Sequence, residues 1–252
     1  MRTEGQRIAI TGGSGDLGQR IAQRLARSGA EIIVLDRVPP ASGAHYIACD
    51  LASASGIEQA AVSLAGADCD VLINLAGVQY CGPVQGEAPE HLARTFAVNL
   101  LAPIRLTQAV LPAMRARSDG QIVNIGSILG SISFAHFATY SSSKAGLRGF
   151  SDALRRELAG SGVAVTHISP RAVRTAFNSE RVQALARATS MTMDDPDRTA
   201  ERIVRAVVAR RSNVEIGFPE AIYVRLNALF PALVDRALAP GDRRAAQLFA
   251  EG

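Results

Sequence analysis

Arg7-Ile8-Ala9-Ile10-Thr11, running into Gly12-Gly13-Ser14-Gly15-Asp16-Leu17-Gly18, is the stretch whose reading decides the fold. Five mostly apolar residues stop at a glycine-rich turn, after which Ile21, Ala22, Leu25 and Ala26 recur at helical spacing. The reading is strand, turn, helix. Glycines in such a turn let backbone N–H groups approach a phosphate closely, and the helix start adds partial positive charge. Outward from this unit, a second apolar strand over 31–35 ends on Asp36, eighteen residues beyond Gly18. An acid there is placed to accept hydrogen bonds from both hydroxyls of an adenosine ribose. Taken in order, these features point to dinucleotide binding.

The alternation continues along the chain. Strands are expected at 46–49, followed by Asp50, at 71–74, followed by Leu75-Ala76-Gly77, and at 121–125, running into Gly126-Ser127. Two more are expected at 163–168, before Ser169-Pro170, and at 214–216. Helices are expected at 55–64, at 89–114 with a bend at Pro103, from Tyr140 to about 158, and at 198–211. Such lengths argue for an α/β fold, a doubly wound parallel β-sheet with helices on both faces, with an extra C-terminal apolar helical segment. Ligands of such sheets gather beyond the carboxyl ends of the strands, where Gly12, Asp36, Asn74, Ser127 and Pro170 all fall. One domain spans 1–252, with a core at about 5–217. The less regular 175–197 is a candidate substrate lid, and 218–252 is a helical extension. Its expected apolar stripe is Ile222, Leu226, Leu229, Phe230, Leu233 and Leu238, which would close the protein's own core or a dimer, line a pocket, or rest on a membrane surface.

Composition narrows the function. With 252 residues, 48% hydrophobic and 20% charged, the chain suits one substantial core. Its net charge is only +4, its arginines are dispersed, and it has no tryptophan, so nucleic acid is not an expected partner. Cys49, Cys69 and Cys81 are odd in number and lack Cys-x-x-Cys spacing, which favours free thiols and a cytoplasmic location. No apolar signal segment opens the chain, and no run reaches the roughly 18 uninterrupted apolar residues of a membrane span. His45, His91, His136 and His167 form no ligand motif, so no metal is expected.

Tyr140-Ser141-Ser142-Ser143-Lys144 contains the only lysine in the chain. Tyrosine and lysine four apart on a helix share a face, so the ammonium can sit beside the phenol and favour the phenolate. An unperturbed phenol titrates at about 10, too high for base chemistry near neutrality. A lysine that lowers it makes the pair an acid/base device.

Together, Thr11 to Gly18, Asn74-Leu75-Ala76-Gly77, Asn99, Ser127, Tyr140 and Lys144 resemble the short-chain dehydrogenase/reductase family, from about residue 5 to 217. The resemblance implies a Rossmann-fold domain holding one nicotinamide cofactor, NAD with NADP as the alternative, and a homodimer or homotetramer. It implies Tyr140 as general acid/base, Lys144 lowering its pKa and holding the nicotinamide ribose, Ser127 orienting the substrate oxygen, and Asn99 shaping a proton relay. Gly12, Ser14, Gly15, Leu17 and Gly18 would meet the diphosphate, Asp36 and Arg37 the ribose region, and Asp50 with Leu51 the adenine. Asn74, Ala76 and Gly77 would lie beside the cofactor, and Pro170, Val173 and Thr175 would follow it to the carboxamide. The implied activity is interconversion of a secondary alcohol and a ketone, on a hydrophobic or lipid-like small molecule. A dinucleotide-binding regulator without turnover is the alternative.

Three positions depart from the pattern. Asp16 replaces a turn glycine and is expected to cap the following helix near the diphosphate. Leu75 replaces a second asparagine and is expected to alter strand-end hydrogen bonding. Arg171 replaces a glycine after Pro170, and would bind an anionic group on substrate or cofactor or, the favoured reading, point to solvent.

Overall fold

The computed structural model describes residues 3–41 and 43–250, so the outermost two positions at each end of the expected 1–252 domain lie outside the described residues. Seven strands form one parallel sheet in the order β3-β2-β1-β4-β5-β6-β7. They are β1 Arg7–Thr11, β2 Glu31–Asp36, β3 His45–Ala48, β4 Val71–Asn74, β5 Gly120–Ile125, β6 Val163–Pro170 and β7 Asn213–Ile216. β3 begins and ends one residue before the expected 46–49. The chain winds outward from β1 in one direction and from β4 in the other, which opens a crevice at the carboxyl ends of these two strands.

Period-two alternation divides the core. Ile8, Ile10, Ile32 and Val34 face one layer, where they meet Ile21 and Leu25 of α1 (Asp16–Arg27) and Ile203 and Val207 of α7 (Pro196–Val208). Ala9, Ile33 and Leu35 face the other, packing with Leu64 of α2 (Ala54–Ala65), Leu106 of α4 (Ala102–Ala116) and Leu154 of α5 (Ala138–Glu157). The strands are therefore apolar on both faces, as a doubly covered parallel sheet requires.

The stretch expected at 89–114 is α3 (Pro89–Phe96), a wide π turn (Ala97–Leu101) and α4. Pro103 lies in the first turn of α4, where its missing N–H leaves the preceding turn free to widen. Pro89–Ala116 is long enough to cross a membrane and contains an 18-residue window of mean hydropathy 1.3. Its Leu106, Val110 and Met114 are nevertheless core residues beneath the sheet.

Two expectations for the C-terminal third change. The segment over 175–197 contains a regular helix, α6 (Glu180–Thr189), whose N-cap Ser179 accepts the Val182 N–H. The extension is two helices, α8 (Glu220–Leu229) and α9 (Pro231–Ala250), and of the stripe anticipated there only Leu226 and Leu238 pack inward. Val224, Val234 and Ala245 are the buried residues; Leu226 and Leu238 are partly buried, while Ile222, Leu229, Phe230 and Leu233 are exposed. The buried side of α8 is centred on Val224 and not on the line from Ile222 to Leu229, so most of the stripe follows the outer face.

Candidate active site

The crevice is a cleft of about 530 Å³ with the glycine turn at one end and Tyr140 within it. Thr11 Oγ1 accepts the N–H groups of Leu75 and Ala76, each at 3.0 Å, and so ties the end of β1 to the end of β4. Leu75 is partly buried, packing against the core while also lining the cleft. Gly12 has φ +69°, and a Cβ there would lie 2.9 Å from the Ala76 Cα; a Cβ on Gly18 would run into the Gly12 carbonyl oxygen. This backbone cradle, with the start of α1 behind it, has the form and polarity to hold a diphosphate.

Asp16 does not cap α1. The N-cap is Gly15, and the Asp16 carboxylate pairs with Arg20 at 2.8 Å. Arg20 and Arg24 also bind Asp197 at the start of α7, so the acid by the diphosphate cradle is countered within a four-residue ionic network. Asp36 lines the cleft and steadies the turn: its Oδ2 accepts the Ser14 N–H at 3.0 Å and its Oδ1 the Arg37 N–H at 2.7 Å. Ser14, Gly15, Leu17, Arg37, Asp50 and Leu51 line the same end.

Asn74 is the exception among the residues expected beside the cofactor. It is buried in the sheet, and its Nδ2 donates to Asn124 Oδ1 at 2.8 Å. Asn124 Nδ2 donates in turn to Ser151 Oγ at 2.9 Å, and Ser151 Oγ lies 3.2 Å from His167 Nδ1. Because Asn74 is the last residue of β4, its inward pleat direction turns it from the cleft, whereas Ala76 and Gly77 beyond the strand reach the lining.

Tyr140 and Lys144 occupy successive turns of α5, and Ser127 stands at the end of β5. Lys144 Nζ donates to the Ile125 carbonyl at 2.9 Å and lies 5.9 Å from the Tyr140 ring centre. The expectation that Lys144 lowers the phenol is not met in this structure: burial dominates and pushes Tyr140 up to about 12, with Ser127 the neighbour acting to lower it. Burial pushes Lys144 down to about 8. Both shifts disfavour charge in a low-dielectric setting, which at this separation outweighs their mutual effect.

Asn99 is placed by the π turn, a distortion often found at functional sites. Its Nδ2 donates to the Val78 carbonyl at 2.9 Å and to Ser143 Oγ at 3.0 Å, while its Oδ1 accepts the Val78 N–H at 2.9 Å. Ser143 Oγ donates to the Tyr140 carbonyl at 2.7 Å. Asn99 thus braces α5 behind Tyr140 without itself lining the cleft. On the other side of Tyr140, Thr139 Oγ1 donates to the enclosed carboxylate of Glu87 at 2.5 Å.

Pro170, Val173 and Thr175 line the cleft after β6. Arg171 lines it too, but neither points to solvent nor stands free to bind an anion. Its side chain is 15% exposed; Nη2 donates to Asp194 at 2.6 Å, and Nη1 to Glu220 at 2.9 Å and the Phe218 carbonyl at 3.1 Å. Arg171 therefore pins the end of the 175–197 segment to the start of α8. Sequence reasoning missed most of the substrate side. Leu129, Phe137, Phe177, Val182 and Met191 form its apolar wall, and Gln79 Nε2 reaches across to the Phe177 carbonyl at 3.0 Å. No local pattern marks these residues, since they come from separate loops and α6.

A glycine cradle at a switch point of a parallel sheet, joined to a buried tyrosine–lysine–serine group, defines a dinucleotide-dependent oxidoreductase. The family model for short chain dehydrogenases matches residues 6–186. Dehydrogenase/reductase SDR family member 7B of Danio rerio is 31% identical over 266 residues, 94% of this chain and 85% of the relative. Hydroxysteroid 11-beta-dehydrogenase 1-like protein B of Xenopus laevis is 34% identical over 257 residues, 93% and 86% of the two chains. A short chain dehydrogenase of Burkholderia cenocepacia solved in complex with NADP superposes with a TM-score of 0.82 at 22% identity, covering 94% of this chain and 99% of that one. The chain belongs to the short-chain dehydrogenase/reductase family, enzymes that act on CH–OH groups with NAD(P).

Proposed function

We propose that the enzyme interconverts a secondary alcohol and its ketone on a hydrophobic, lipid-like substrate. The observation that carries this reading is the position of Tyr140, whose phenol shares the cleft with Ser127 and an apolar wall of Leu129, Phe137, Phe177, Val182 and Met191. A similar sequence named for steroid substrates supports the same class.

When bound, the nicotinamide supplies the hydride acceptor or donor. Gly12, Ser14, Gly15, Leu17 and Gly18 would hold its diphosphate, Asp36 and Arg37 its ribose end, and Pro170, Val173 and Thr175 the far end. In alcohol oxidation Tyr140 takes the hydroxyl proton at Oη, and in ketone reduction it returns that proton. Ser127 donates a hydrogen bond to the substrate oxygen where negative charge grows. Ser127 is the neighbour that favours the phenolate, and Lys144, held by the Ile125 carbonyl, would meet the nicotinamide ribose. Asn99, through Ser143, keeps the first turn of α5 in place. Asp36 favours NAD, because a carboxylate repels an added ribose phosphate. The segment 175–197 acts as the wall and cover of the substrate half.

A screen of alcohols and carbonyls, read by absorbance of the reduced nicotinamide with both cofactors, tests these points together. Activity confined to small polar alcohols overturns the substrate class, and tighter binding of NADP than NAD overturns the reading of Asp36.

A further inference from the structure

From Ala228 to Leu233 the chain reads Ala-Leu-Phe-Pro-Ala-Leu, and every residue of it is exposed. Leu229 is 72%, Phe230 58% and Leu233 53% exposed, and Ile222 and Tyr223 on α8, with Phe218 just before it, are exposed apolar residues too. Six consecutive exposed residues without one polar side chain are unfavourable in water unless something covers them. The corner between α8 and α9 is nevertheless firmly seated. Val224 and Val234 pack with Ile128 and Ile132, and Asn227 Nδ2 donates to the Ser131 carbonyl at 2.9 Å. It is thus a rigid projection mounted on the segment that follows Ser127.

Two features select its occupant. Even with Phe218, Ile222 and Tyr223 added to the six corner residues, nine exposed residues fall well short of the roughly 20–30 residues a side in a stable protein interface, whereas a lipid layer closes around an apolar wedge of any outline. Charge agrees. Arg225 precedes Leu229 by one helical turn and Arg236 follows Leu233 by three residues, and both are exposed. Over residues 218–250, Arg225, Arg236, Arg243 and Arg244 face Glu220, Asp235 and Asp242, and Glu220 is already engaged by Arg171. Arginine stems can lie along the apolar wedge while their heads reach anionic headgroups.

We infer that the α8–α9 corner docks the enzyme on an anionic lipid surface, with Leu229, Phe230 and Leu233 entering the headgroup layer and Arg225 and Arg236 binding its charges. The inference stands on exposure, composition and charge, and does not depend on the proposed substrate. Docking would bring the segment after Ser127, whose Leu129 lines the cleft, toward the bilayer.

The test is co-sedimentation of the full chain with vesicles of phosphatidylcholine alone or with about 30 mol% phosphatidylglycerol. Wild type is expected in the pellet with the mixed vesicles, and Leu229→Asp/Phe230→Asp/Leu233→Asp in the supernatant with an unchanged melting temperature. If that variant fails to fold, Arg225→Ala/Arg236→Ala serves instead: binding to the mixed vesicles should fall roughly fivefold per arginine, with binding to phosphatidylcholine unaltered. Wild type left in the supernatant with both vesicles, a triple variant that sediments as well as wild type, or an arginine variant that binds the mixed vesicles as tightly as wild type overturns the inference. So does a wild-type oligomer that the triple variant separates into monomers without any vesicle binding, since a second copy would then cover the corner.

Discussion

Ile8 and Ile10 on β1 are fully enclosed, whereas Leu229 and Phe230 at the α8–α9 corner are largely exposed, although all four are strongly apolar. The cofactor end of the molecule is held by backbone geometry. Parallel strands leave apolar residues only one place to go, and the turn at Gly12 and Gly18 tolerates no side chain. The substrate end is held by side chains: Arg171 with its two carboxylates, Gln79 across to the Phe177 carbonyl, and Val182 and Leu185 of α6 packed with Ala245 of α9. A change at the first end should therefore act through geometry and be severe, while changes at the second should be graded and depend on the substrate.

The sharpest way to break this contrast is at the residue where the two ends meet. Tyr140→Phe should lower kcat by about 10³-fold while calorimetry finds dinucleotide affinity nearly unchanged, because in the proposed mechanism the phenol oxygen moves the proton and the cradle holds the cofactor. Turnover above roughly a tenth of wild type would remove Tyr140 from its role. Gly18→Ala tests the cradle. Its Cβ meets the Gly12 carbonyl, and an overpacking cost of about 2 kcal/mol corresponds to a loss of dinucleotide affinity of roughly thirtyfold. An unaltered dissociation constant would show that the turn can shift.

At the substrate end, Arg171→Gly leaves Asp194 and Glu220 without their common partner. A stability loss of up to about 3 kcal/mol is expected, with faster proteolytic cleavage within 176–193 and a larger effect on bulky than on small substrates. Equal losses for every substrate would make the cluster structural only.

Between the two ends, His167 allows a test by pH. Burial, with help from Arg148 and Lys144, holds it down to about 4, below its ordinary 6.5. Between those values the unfolded chain binds a proton that the native protein refuses, so stability falls as pH drops from 6.5 to 4, by at most about 3 kcal/mol. Thermal melts of His167→Asn across that window should show a flatter dependence than wild type. The smallest effect is expected for Phe177→Ala, a several-fold rise in KM confined to hydrophobic substrates.

How much of the site could be read in the sequence follows the same division. Gly12, Asp36 and Ser127 lie at strand ends, so order and spacing placed them around one cleft, and the family resemblance added Gly18, Tyr140 and Lys144 to it. Asn74 lies one residue short of the strand's exit, and its inward turn depended on a partner 50 residues away, Asn124. Arg171 was misread for a similar reason, since its partners Asp194 and Glu220 come from either side of α7 and β7. Phe177, Val182 and Met191 gather only because α6 folds back over the cleft. The titration of the tyrosine was misjudged because adjacency on a helix sets distance, whereas enclosure by surrounding layers sets the cost of charge.

Sequence by itself determined the alternation of strands and helices, the glycine cradle and the tyrosine–lysine pair, because each depends on periodicity, sterics or helical spacing within a short stretch of chain. Tertiary structure alone decided which way Asn74 and Arg171 turn, how strongly Tyr140 and Lys144 resist charge, and that the corner after α8 faces outward. Those outcomes depend on burial and on partners brought together from distant parts of the chain, which no local spacing encodes.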